Sequence, residues 1–196
     1  MIRHAEKTSP REIIVGRTDG IGLSEMGRRQ AIWLSRQLSP QPLDMIFSSP
    51  LQRARETAQP IADAKQLTLQ TDEHFNEIDF GEWTNRSESE LRRDERWLRF
   101  NAFRIGTRVP SGESMLEVQC RMVGQMLRLR DEHPNAHIAI VGHGDPIRAA
   151  LLYFCSASLD HWDRFEVSVA SVSALTLSEH HARLLYVNRI ATNGSN

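Results

Sequence analysis

Lysine is almost missing from this chain of 196 residues: Lys7 and Lys65 are the only two among 24 basic side chains, and the rest are arginines. Arginine presents a planar fork of donors that fits phosphate and carboxylate, although genome composition alone produces such a bias. Cysteine is scarce too. Cys120 and Cys155 are the only ones, and both fall in apolar helical patterns, which predicts buried thiols and argues against a disulfide framework. No stretch approaches the roughly 20 apolar residues of a membrane span. No signal-peptide pattern precedes the first motif, so the expected location is cytoplasmic. Neither sign of charge dominates, with a formal net charge of -1, so neither nucleic acid nor a membrane is an expected partner. Eight histidines are present, but His180-His181 are adjacent and His133 and His137 flank Pro134. Neither pair has helical zinc spacing, and no metal and no cofactor are expected. Repeats and low-complexity segments are also lacking; Thr192 to Asn196 reads as a frayed polar tail.

What is present suits one domain over 1–196, since 40% of the residues are hydrophobic and can supply a core. Met1-Ile2 reads as the end of a strand running into Arg3-His4, and residues 8–22 as a loop. Ser24 caps a helix that Pro40 and Pro42 stop. Met45-Ile46-Phe47 is a short buried strand, and a helix follows from about Leu51 to Ala64 with a kink or break at Pro60. Leu67–Gln70 is a strand, Ser87–Phe100 one arginine-rich helix, Glu113–Glu132 a long helix, and His137–Val141 a strand. A helix from about Pro146 to Phe154 and two closing strands, 171–177 and 183–187, complete the chain. Strands alternating with helices predict a three-layer α/β/α sandwich with a mainly parallel sheet. Ligands in such sheets bind beyond the carboxyl ends of the strands, and Arg3-His4, Ser48-Ser49 and Gly142-His143 all fall at such ends.

Those residues have matching chemistry. A neutral imidazole at His4 is a nucleophile. Arg3 and Arg53 can mask the charge of an anionic substrate by bidentate contacts. His143, between glycines, can donate to oxygens that gain charge in a transition state. Glu77 can protonate a leaving oxygen if burial or neighbouring charge raises its pKa. Singly each has a bland reading, a structural histidine, a surface arginine or a solvated glutamate; the joint pattern carries the weight.

The segments Arg3-His4-Ala5-Glu6, Gly16–Asp19 with Leu23–Ala31, Ser48–Ala58, Glu77–Trp83, Pro110–Ser114 and Val141–Asp145 resemble, in order, the histidine phosphatase superfamily, which includes the phosphoglycerate mutases. The resemblance spans residues 3 to 145. It implies a phosphoglycerate mutase-like fold, His4 as the phosphorylated nucleophile, and Arg3, Arg53 and His143 around the phosphate. Glu77 is then the proton donor and later the base that activates water. Arg17 and Thr18 fall in the loop lining the substrate entrance in relatives. Ser111-Gly112-Glu113-Ser114 replaces a two-glycine form, with Ser111 as an N-cap and Ser114 as a substrate contact. The implied partner is a small phosphorylated molecule, and the implied assembly is a monomer or homodimer.

Two positions depart from the family pattern. Ala5 stands where glycine is common. Only Met1 and Ile2 precede Arg3-His4, where relatives have several apolar strand residues, which predicts lower stability than that of a longer form. Only about 25 residues separate Trp83 from Pro110, too few for a large lid, so hydrolysis is expected rather than a mutase reaction. The 84–109 segment is expected to shape specificity. Its arginines, Arg86, Arg92, Arg93, Arg96, Arg99, Arg104 and Arg108, read first as a solvated face paired with Glu88, Glu90, Asp94 and Glu95. Trp97, Phe100 and Phe103 read as packing residues. Asp145 reads as a helix N-cap ahead of Pro146, although more distant superfamily members place the proton donor beside the second histidine. The rival readings are a non-catalytic phosphate-binding module, which should lack the nucleophile, the arginines or the acid, and a metal hydrolase, which chelator sensitivity would reveal.

Overall fold

Short apolar runs alternate with helices that bury one stripe, and the sheet they build has two covered faces. The computed structural model describes residues 1–190. The six strands are β1 (Ile2–Arg3), β2 (Met45–Ser48), β3 (Leu69–Thr71), β4 (Ile138–Gly142), β5 (Val172–Leu177) and β6 (Ala182–Arg189). Their order across the sheet is β3-β2-β4-β1-β5-β6. β3, β2, β4 and β1 run parallel, and the β5–β6 hairpin is added antiparallel to β1.

Successive strand residues point to opposite faces, and the core divides accordingly. Ile2, Ile46, Ala139 and Val141 pack with Ala31, Leu34, Ala54, Ala58 and Ile61 of helices α1 (Glu25–Leu38) and α2 (Gln52–Lys65). Phe47 and Ile140 pack with Met122, Met126, Ile147 and Leu151 on α5 (Met115–Glu132) and α6 (Gly144–Phe154). The result is the expected three-layer sandwich with a mainly parallel sheet. A third cluster of Ile78, Phe80, Trp83, Leu91, Phe100 and Val109 gives the 84–109 segment its own apolar anchor. Gly27 permits the first turn of α1 to lie on the backbone of Glu6, since a Cβ there would meet the Glu6 carbonyl at 2.0 Å.

Local readings differ from the structure in six places. Ser87–Phe100 is two helices, α3 (Glu88–Leu91) and α4 (Glu95–Ala102), because Asp94 accepts from the Arg96 N–H and starts a second helix. α2 runs through Pro60 as one assigned helix. Ser111 is no N-cap: it sits at φ +56 in a turn, and Ser114 caps α5 in a reciprocal box with Glu117. His143, not Asp145, is the N-cap of α6, and the Asp145 carboxylate instead accepts from Arg148. Cys120 and Cys155 are both exposed, lying off the buried stripes of α5 and α6. Phe103, expected to pack, is also largely exposed. The tail Thr192 to Asn196 lies outside the described residues.

β1 covers only part of its neighbours. Ile2 and Arg3 pair with Val141 and Gly142, so nothing in β1 stands opposite Ile138–Ile140. A hollow of about 640 Å³ opens there, lined by residues that include Met1, Ile138, Ile140, Ser173, Leu175 and Leu177. We expect a variant extended upstream of Met1 by four or five apolar strand residues, which would cover this hollow, to melt higher than the chain of 196 residues. Equal melting temperatures would show that the hollow costs nothing.

Candidate active site

The parallel register brings the carboxyl ends of β1, β2 and β4 side by side, because β4 lies between the other two. His4 follows β1 and hydrogen-bonds through its backbone N–H to Gly142 O at 2.9 Å. Its Nδ1 lies 2.7 Å from the Ala5 carbonyl. A carbonyl can only accept, so Nδ1 carries the proton and Nε2 keeps its lone pair. His4 is only 4% exposed. Burial, then Arg53 and Arg3, hold its pKa well below the usual range, so the ring is neutral.

His143 stands beside it, with ring centroids 5.1 Å apart. Burial, followed by Arg53 and His4, likewise lowers its pKa. Its orientation comes from a chain of hydrogen bonds. Asn76 Nδ2 donates to Glu73 Oε2 at 2.9 Å, which leaves Asn76 Oδ1 to accept from Ser49 Oγ at 2.8 Å. With its proton committed there, Ser49 Oγ accepts from His143 Nε2 at 2.9 Å. His143 Nδ1 therefore faces the other way, 3.9 Å from Glu77 Oε2.

Arg53 emerges from the first turn of α2 and is 1% exposed. Its Nη2 donates to Gly16 O at 2.7 Å, and Arg3 Nη1 donates to Val167 O at 2.6 Å. Among the described residues, Arg3 Nε, Arg53 Nε and Nη1, and His143 Nδ1 are buried without a hydrogen-bond partner. The guanidinium N–H groups are buried donors left unmade, which is costly, whereas His143 Nδ1 has no hydrogen while Nε2 donates to Ser49 and becomes a donor only when the ring gains a proton. Guanidinium donors gathered around one nucleophilic nitrogen form a site for an anion.

Glu77 closes the group. Burial, then the charge of Asp145, raises its carboxyl to about 7, against the opposing pull of Arg53. Its backbone carbonyl is clamped by Arg17 Nε at 2.8 Å and Arg121 Nη2 at 3.1 Å. Both arginines also pair with Glu113, at 2.9 and 3.0 Å. Arg17 thus braces the acid's backbone. Thr18 lies farther out and donates to Asn85 Oδ1 at 3.1 Å, tying the first loop to the 84–109 segment. Ser114 is engaged in capping α5: its hydroxyl donates to Glu117 Oε2 at 2.9 Å and accepts from the Glu117 N–H. Asn76 and Arg121 carry no local signal in the sequence; Ser49 and Glu113 fall in the strand-end and 110–114 segments, but their bonds to Asn76 and to Arg17 and Arg121 are set by the tertiary fold.

A family model, the histidine phosphatase superfamily (branch 1), matches residues 1–190. The chain belongs to this superfamily. It is 32% identical over 194 residues to phosphoserine phosphatase 1 of Hydrogenobacter thermophilus, covering 96% of this chain and 90% of that one. It is 33% identical over 147 residues to a probable phosphoglycerate mutase of Yersinia pestis, covering 74% and 68% of the two chains. Among solved structures, a phosphoserine phosphatase mutant from Entamoeba histolytica in complex with phosphoserine superposes with a TM-score of 0.86 at 28% identity, over 95% of this chain and 94% of that one. A mycobacterial glucosyl-3-phosphoglycerate phosphatase also has a TM-score of 0.86, over 96% of each chain, and at 22% identity it speaks to the fold alone. The superfamily's layout thus extends over the described residues, including the 84–109 segment. No described helix is long and apolar enough to cross a membrane.

Proposed function

We propose that this histidine phosphatase hydrolyses small phosphomonoesters in two displacements at His4. The observation that carries the reading is the bare Nε2 of a neutral, buried His4 beside the unpaired guanidinium donors of Arg3 and Arg53 and the unpartnered Nδ1 of His143. Guanidinium N–H groups hold the phosphoryl oxygens and offset their charge as Nε2 approaches phosphorus. An N–P bond forms and the ester P–O bond breaks. Glu77, whose raised pKa keeps a large share of it protonated near neutrality, gives its proton to the departing oxygen. In the second displacement, Glu77 as carboxylate takes a proton from water, whose oxygen attacks phosphorus. The N–P bond breaks, inorganic phosphate leaves, and both groups return to their starting states.

Each proton is handled by a side chain, so no metal enters either step. A screen of phosphomonoesters followed by free-phosphate release should find turnover that survives excess EDTA. Loss of activity on chelation, restored by a divalent ion, would overturn this reading. Arg17 supports the reaction by holding Glu77 in place. Thr18 and the 84–109 segment frame the substrate side, and Ser114 bears on the site through the start of α5.

A further inference from the structure

One arginine of the 84–109 segment does not behave as a solvated helix charge. Arg92 and Arg96 pair on the surface with Glu88 and with Asp94 and Glu82, but Arg104 is 3% exposed. Its guanidinium lies over two aromatic faces, with Cζ 3.8 Å from the Trp162 ring centroid and 4.8 Å from that of Phe100. Such stacking attracts the cation but leaves its in-plane N–H groups unbonded. Nη2 donates to Asn101 Oδ1 at 2.8 Å. Among the described residues, Nε and Nη1 have no hydrogen-bond partner. The nearest acid, Asp145, stands 3.7 Å from Nη1 and is already bonded to Arg148 at 3.1 Å.

This buried cation adjoins the phosphate pocket. Asp145 lies in the first turn of α6, two residues beyond His143. Gly144, between them, lies against Arg3, since a Cβ there would meet Arg3 Cζ at 3.2 Å. Arg3 and Arg104 therefore flank one short turn. Charge accounting separates their roles. Arg3 and Arg53 match the two negative charges of a phosphoryl group. Arg104 and Arg148 share the single carboxylate of Asp145, leaving one positive charge, desolvated and with donors unmade. A single negative charge with planar acceptors meets that requirement.

Resting on the phosphatase reading above, we propose that Arg104 is a specificity residue that receives the carboxylate of the substrate, so that the preferred esters are phosphorylated amino or hydroxy acids. Trp162 and Phe100 hold the guanidinium in place, and Asp145 with Arg148 sets the local balance at one positive charge.

The test compares esters that differ by a carboxylate, O-phosphoserine against O-phosphoethanolamine and 3-phosphoglycerate against glycerol 3-phosphate. The wild-type protein should favour at least one carboxylated partner by about 30-fold or more in kcat/KM, the scale of a charge-assisted hydrogen bond. Arg104→Lys keeps the charge but loses the planar fork. It should shrink that preference to about threefold while leaving turnover of the matching uncarboxylated ester within about threefold of wild type. An equal fall on both partners would make Arg104 a packing residue and overturn the proposal. The wild-type ratios decide the matter even if the variant does not fold, because ratios near one in both pairs exclude a carboxylate subsite. No phosphate release from any of the four esters would sink the phosphatase reading itself, whereas equal release within each pair sinks only the subsite.

Discussion

Replacing His4 with alanine should lower phosphomonoester turnover by at least about three orders of magnitude, or about 4 kcal/mol of transition-state stabilisation. The fold should survive, because the ring makes one side-chain hydrogen bond, to its neighbour's carbonyl, and the strand contacts come from backbone atoms. Inorganic phosphate should still bind, since Arg3, Arg53 and His143 remain. The wild-type protein, quenched during turnover of a labelled ester, should carry acid-labile label on His4. A variant that keeps a tenth of the wild-type rate, or label found on another residue, would remove the nucleophile from its assigned place.

Glu77→Gln should have the next largest effect, and it should depend on the leaving group. A carboxyl raised to about 7 is about half protonated at neutral pH and ionises further above it. For an alkyl phosphate, whose leaving oxygen needs a proton, kcat/KM should fall about tenfold per pH unit above that point. The glutamine variant should lose this alkaline limb and about 10²–10⁴ of the rate. A nitrophenyl ester, whose leaving oxygen departs unprotonated, should lose far less in the first step. Stability supplies an independent readout. An acid with a raised folded pKa contributes stability that is full below its unfolded value and is lost as pH rises through about 7. The amide cannot ionise, so Glu77→Gln should gain melting temperature relative to wild type as pH increases from 5 to 8. If Asp145→Asn instead abolished turnover while Glu77→Gln left it intact, the acid would have to be reassigned to Asp145.

Strand ends were the most legible part of this protein. Short apolar runs that stop at His4, Ser48 and His143 declare both a covered sheet and one reactive edge, because ligand sites collect where parallel strands end. Helix starts were less legible. Asp94 and Ser114 won over their neighbours through side-chain oxygens that reach a specific N–H two or three residues on, and several residues nearby could have done the same. Long-range partners were not legible at all. Nothing near Ser49 announces that Asn76 will fix its hydroxyl. Nothing in an arginine-rich stretch separates Arg104, buried between two rings, from its solvated neighbours. Those outcomes depend on which side chains the tertiary fold stacks together.

The hydrogen bonds behind His143 have a further consequence. From the ring they run one way, through Ser49 to Asn76, whose amide is held by Glu73. That route is already filled with hydrogens and leaves no lone pair on the rear nitrogen of the ring. Any additional proton must therefore enter through the front nitrogen, on the side where the anion binds. Occupancy and ionisation of this imidazole are thereby joined: a guest bearing negative charge favours a proton coming in with it, and the departing guest lets that proton go.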